Sequence, residues 1–368
     1  MTRPQGRARC PQRAVFLLLC ALCALCGEIW AQSNTAAVEA LSRLKGMDLE
    51  ANPALKKAVL NVLEKTRGAP QFVEIVRDFK LKGQAKELLL FAEKNPTESL
   101  GIEALRLAVA EVGAEGLQPL SLGLIQAIGN ANDKDFFPAL ARVLDDATQP
   151  IDNRKAAVKG LAQIEEGAAH ILKLAGEEKL DPALKFTASA ALASARWPNI
   201  KTEAAKLLPL PQGQNAALPP VAELVKLKGD AANGAKVYRR PEVNCIACHQ
   251  VNGEGVDFGP ALSEIGTKLA REALYESILD PTSGISFGYE AWNFELKNGD
   301  EPFGIISSET NEEVTVKTQN GISTKYKKSD IASRRQSKLS IMPAGLQMAM
   351  SQQDFVDLIE YLASLKKR

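Results

Sequence analysis

The run Cys245-Ile-Ala-Cys248-His249 constrains this chain more than any other feature. Whatever fold surrounds it must present two thiols and an imidazole from one short turn. Two cysteines at this spacing can reach the two vinyl groups on one porphyrin edge and form thioethers. The histidine that follows is then delivered beneath the iron. This is the spacing of covalent haem attachment, with Cys245 and Cys248 as attachment residues and His249 as proximal ligand. The chain has one other histidine, His170, so a multi-histidine metal centre is excluded.

The motif has three other uses. A thioredoxin-like redox pair sits between a strand and a helix, but residues 230–240 (DAANGAKVYRR) read as a helix and 251–260 (VNGEGVDFGP) as a glycine-rich loop. Structural zinc needs four ligands, and adjacent Cys248 and His249 cannot easily share one tetrahedral ion. A plain disulfide leaves His249 without a role.

The surroundings suit a haem. Asp230 can cap a short helix that carries Val237 and Tyr238 on one face. Leu269, Ala273, Leu274 and Ile278 make a second helix that stops at Asp280-Pro281. Ser351 opens a last helix, with Asp354 completing a capping box and Phe355, Leu358, Ile359 and Leu362 as the buried stripe. Three helices around a haem are the core of a small cytochrome. Between the second and third, at about 286–335, four segments (289–296, 303–307, 313–318 and 322–327) favour strands. Asn298-Gly299 and Asn320-Gly321 supply hairpin turns, which predicts a three- or four-stranded meander. A methionine is expected as the second axial ligand. Met342 stands before Pro343 in a loop ahead of the last helix, where Pro disfavours helix at the preceding residue. Met348 and Met350 lie against Ser351, where packing is the more ordinary role.

The first half reads differently. Arg3, Arg7, Arg9 and Arg13 precede a thirteen-residue apolar run from Ala14 to Cys26, too short for a membrane span. With a small residue at Ala31, this predicts a cleaved signal peptide over 1–31. A lipoprotein site is the alternative, but Leu22 and Leu25 precede Cys23 and Cys26 where a small residue is wanted. Cleavage would leave a mature chain of net charge −2 with only Cys245 and Cys248, hence no disulfide framework. Residues 36–210 are rich in Ala, Leu, Glu and Lys at helical spacing. One helix carries Ala156, Ala157, Val158, Leu161 and Ile164 behind Asp152; another follows a break at Glu165-Glu166-Gly167; a third starts at Pro182 and ends by Trp197-Pro198. Pairs recurring at thirty-odd residues suggest a HEAT-like α-solenoid, with a plain helical bundle as the alternative. Residues 211–220, with Pro219-Pro220, read as a linker to a haem domain over 221–368. Lys plus Arg number 45 against 44 for Asp plus Glu, with no dense basic stripe, which argues against a nucleic-acid partner.

Residues 221–368 resemble the planctomycete- and verrucomicrobial-type haem-binding domain, classed with c-type cytochromes. The resemblance rests on GDAANGAKVY, CIACHQVNGEGVDFGPAL, SILDPTSGISFGYE, SIMPAGL and DLIEYLASL, in that order. It implies one haem c on Cys245 and Cys248, His249 and Met342 as axial ligands, and the Pro260 carbonyl holding the proximal imidazole N–H. It also implies a mainly α fold, cytochrome c-like after the solenoid, with the β insertion. The function expected is electron transfer rather than catalysis, by an exported, periplasmic protein whose repeats form a docking surface for a redox partner such as a dehydrogenase. A haem subunit of a dehydrogenase complex, a haem peroxidase and a haem sensor are the alternatives.

Overall fold

The computed structural model describes residues 39–41, 43–117, 119–209, 218–241 and 243–367. The expected signal peptide with its four cysteines, and most of the 211–220 linker, lie outside these residues. The described residues form two compact units, one up to Leu88 and one from Leu89 onward.

In the first unit, α1 (Pro53–Lys65) and α2 (Pro70–Phe79) both begin with proline, whose missing N–H costs nothing at the first helical turn. Helix α2 buries Phe72, Val73, Ile75 and Val76. Helix α3 (Ala85–Lys94) spans the division between the units.

The second unit opens with seven helices: α4 (Ser99–Val112), α5 (Leu122–Ala131), α6 (Phe137–Asp145), α7 (Ile151–Leu161), α8 (Glu165–Gly176), α9 (Pro182–Ala193) and α10 (Pro198–Leu207). The start of α9 follows the sequence expectation, with the Asp181 carboxylate accepting the Ala183 N–H ahead of Pro182. Two boundaries differ. Helix α7 starts at Ile151, so Asp152 lies in its first turn rather than ahead of it. The break before α8 is at 162–164, and Glu165 and Glu166 occupy its first turn, where the positive end of the helix dipole favours acidic side chains. Helix α7 packs on α5, α6 and α9. It meets α5 where Gly160 faces Gly129, and a Cβ on Gly160 would stand 2.6 Å from the Gly129 Cα. The expected stripe Ala156, Ala157, Val158, Leu161 and Ile164 is buried.

The rest of the unit holds α11 (Val221–Leu224), α12 (Ala231–Arg239), α13 (Ile265–Lys268), α14 (Arg271–Leu279) and α15 (Gln352–Ser364). Asp230 caps α12 by accepting the Ala232 and Asn233 N–H groups, and Ser351 and Asp354 form the expected capping box on α15. Helices α12 and α15 cross at Gly234, where any Cβ would overlap the Asp357 carbonyl. Phe355, Leu358, Ile359 and Leu362 are buried around this crossing with Val237, Tyr238, Leu274 and Ile278. Each such side chain contributes about 1.5–3 kcal/mol through removal from water.

Between α14 and α15 lies one antiparallel sheet of five strands, in the order β4-β3-β2-β1-β5: β1 (Ala291–Leu296), β2 (Phe303–Glu309), β3 (Glu313–Lys317), β4 (Ser323–Lys327) and β5 (Ile331–Gln336). The first four form the expected meander. The fifth corrects the strand count, since the chain returns across the sheet to pair β5 with β1. The turns of this sheet meet the helices of the same unit. Asn320 Nδ2 donates to Asn130 Oδ1 at 2.6 Å, Gln163 Nε2 to Gln319 Oε1 at 2.9 Å, and Lys134 Nζ to the Gly299 carbonyl at 3.0 Å.

Candidate haem site

Cys245 to Ala247 form a 3-10 turn entered through Asn244 in the left-handed conformation. The N–H groups of Cys248 and His249 both donate to the Cys245 carbonyl, at 3.1 and 2.9 Å. One tight turn thus carries both thiols and the imidazole. The glycine-rich loop folds back over it: the Gly259 N–H donates to the Cys248 carbonyl at 2.6 Å and the Val256 N–H to the Ile246 carbonyl at 3.0 Å. Lys317 of β3 holds this loop through an ion pair with Asp257 at 2.7 Å.

His249 is fixed from three directions. Its Nδ1–H donates to the Pro260 carbonyl at 2.7 Å, and its own carbonyl accepts from the Tyr238 hydroxyl of α12. Gly259 lies against the ring face, where a Cβ would come within 2.5 Å of Cε1. With Nδ1 engaged, Nε2 is the nitrogen left for a metal. Burial lowers the imidazole pKa, outweighing the Pro260 hydrogen bond that would raise it. Burial likewise pushes the Cys245 thiol up to about 12, with the Cys248 charge adding to it, and the Cys248 thiol up to about 11. Such thiols are the opposite of the depressed thiolates of a redox pair. Nor do three or more His, Cys, Asp or Glu side chains gather to hold a metal ion among the described residues.

The turn opens onto a cavity of about 530 Å³, in the size range of small-molecule and cofactor sites. Cys245, Cys248, His249 and Pro260 line it, and so does Met342. Of the other late methionines, Met350 is buried in the helical core and Met348 is half exposed; neither lines the cavity. Every residue predicted from sequence for this site is therefore gathered around one cavity. The donors and the room both fit a haem: two protonated thiols, one oriented imidazole and a thioether on an apolar wall. The sequence reading missed Gly259 as the space for the imidazole and Tyr238 as its backbone anchor. Gly259 stands beside Pro260 in the FGPAL stretch, which is the signal for it; in the sequence Tyr238 shows only as part of one face of its helix.

Residues 231–314 match the family model for cytochrome c. The chain carries a cytochrome c domain. The match takes in α12, the Cys245–His249 motif, α14 and the first strands, and it ends before Met342 and α15. The comparison with curated proteins returns no match. Among the described residues no helix is long and apolar enough to cross a membrane.

Proposed function

We propose that this chain is an exported c-type cytochrome that binds one haem covalently and passes single electrons to and from a redox partner protein. In this reading Cys245 and Cys248 bear the thioethers, and His249 and Met342 are the axial ligands. The observation that carries it is the His249 imidazole, oriented by the Pro260 carbonyl at 2.7 Å in a turn bearing both thiols, at a cavity that also receives Met342. Bound haem would supply the ferric–ferrous couple. The residues do the rest: the thiols hold the group in place, the Pro260 bond orients the imidazole and strengthens it as a donor, and the apolar wall limits water. Through burial and axial ligation these residues would set the potential. Residues 36–210 are read as HEAT-like repeats, joined through 211–220 to the haem domain, and their outward surface as the place where the partner docks. The signal segment supports a periplasmic location.

The test is a pyridine haemochrome spectrum of the full chain matured with a cytochrome c assembly system. One haem per chain, surviving acid–acetone extraction, is expected, and Cys245→Ala combined with Cys248→Ala should abolish it. Covalent haem in the double variant would refute the attachment assignment.

A further inference from the structure

The cavity wall comes from two parts of the chain. Facing the cytochrome side, the helical part contributes Asn132 after α5, Gln163 after α7 and residues 194–197 between α9 and α10. Among the described residues, Arg196 is the only Lys or Arg that lines the cavity, and no Asp or Glu does. Its side chain is only 14% exposed. The guanidinium lies 4.6 Å from the centre of the Trp197 ring, and it donates to the Glu301 carbonyl at 2.6 Å and to Glu301 Oε2 at 2.9 Å. Burial lowers the Arg196 pKa, against the pull of Glu301 and Glu165. The Glu301 side chain is 55% exposed, so water competes for it and it compensates the buried cation only in part. A planar guanidinium, stacked on an indole and braced by a backbone carbonyl, is preorganised for a carboxylate. Haem carries two carboxylates, its propionates, and the described residues of the wall offer them no other cation.

We propose that the helical part is a structural wall of the haem crevice and that Arg196 pairs with a haem propionate. This rests on the haem reading above. The guanidinium should keep that propionate ionised across the neutral range, because an adjacent opposite charge favours the charged form.

The experiment measures the reduction potential of the full, matured chain from about pH 5 to 8, the range into which an unpaired buried carboxylate would move. Wild type, Arg196→Lys, Glu301→Gln and Arg334→Gln should give flat profiles; Arg334 pairs with Glu309 on the sheet, away from the cavity. Arg196→Gln should give a potential that falls as pH rises, since the propionate now ionises within the range and its charge stabilises ferric iron. It should also lie below wild type at the alkaline end. A flat profile for Arg196→Gln with covalent haem intact would overturn the proposal. So would the same slope in Glu301→Gln, which would make Arg196 only a latch to the hairpin. If Arg196→Gln does not fold, the propionate bending band in the resonance Raman spectrum of Arg196→Lys decides: a shift from wild type supports the pairing, and an unchanged band overturns it. Absence of covalent haem from the wild type would instead sink the haem reading itself.

Discussion

Replacing Gly259 by alanine tests how tightly the fold holds the His249 ring. An ideal Cβ there would stand 2.5 Å from His249 Cε1 and 2.8 Å from Nδ1. Carbon atoms at rest sit about 3.5–4.0 Å apart, so the overlap is on the order of 1 Å. Neither side can retreat freely: the Gly259 N–H is bonded to the Cys248 carbonyl at 2.6 Å, and the ring is bonded to the Pro260 carbonyl at 2.7 Å. Overpacking of this kind costs about 1–3 kcal/mol, and loss of the Pro260 bond adds about 1 kcal/mol. We expect Gly259→Ala to destabilise the protein by about 2–4 kcal/mol and to weaken the His249 bond to iron, read by urea unfolding and by the haem spectrum. Gly284→Ala is the internal standard, because Gly284 lines the same cavity but nothing lies within 4 Å of its added Cβ. If the two variants prove equally mild, the ring is not where this geometry puts it, and the account of its orientation is wrong.

Met342→Ala should erase the far-red sulfur–iron charge-transfer band of the ferric protein and lower the potential, because thioether ligation favours ferrous iron. Met348→Ala should leave both unchanged, while Met350→Ala should keep the band and cost about 2–5 kcal/mol, since it empties a buried core site; near-infrared spectra and unfolding curves separate the three. Asp357 is buried, which disfavours its carboxylate, but hydrogen bonds from the Asp230 N–H, Asn233 and Gln353 outweigh this and lower its pKa below 3.8. Its stabilisation is therefore present above that value and is lost as pH falls through the lowered one; Asp357→Asn should cost about 1–3 kcal/mol at neutral pH, and the gap to wild type should close in thermal melts taken on the acid side. The fragment 221–368 contains every proposed attachment and axial residue, so it should acquire covalent haem, but at a lower potential than the full chain because the Arg196 side of the cavity is missing.

Local features of this fold were legible in the sequence because their causes are local. The Cys245–His249 turn, the Asp230 cap, the proline start of α9 and the Ser351–Asp354 box each depend on residues within one or two turns of chain. The missing strand shows the limit. Residues 331–336 (IASRRQ) are polar after Ala332 and exposed after Ile331, so no alternation marks them; they are ordered by pairing with β1, some forty residues earlier. Arg196 and Trp197 show it more sharply. Read along the chain they only end a helix, and their place in the cavity wall depends on the packing of α9 and α10 beside a domain that begins after them.

The β insertion explains how those distant residues reach the haem side. A cytochrome core of α12, α14 and α15 would leave its cavity open wherever no further chain covers it. The sheet puts turn residues against the helical part, with Asn320 on Asn130, Gln319 on Gln163, the Gly299 carbonyl on Lys134 and Glu301 on Arg196. Its third strand meanwhile grips the His249 loop through Lys317 and Asp257. One element therefore touches both the helices and the loop that seats His249. Substitutions at these turns should be felt at the iron although none of them contacts the Cys245–His249 motif. The two roles are thus divided: the motif brings the thiols and the imidazole together, and contacts such as Gln163 on Gln319, 156 residues apart, help build the wall of the cavity they face.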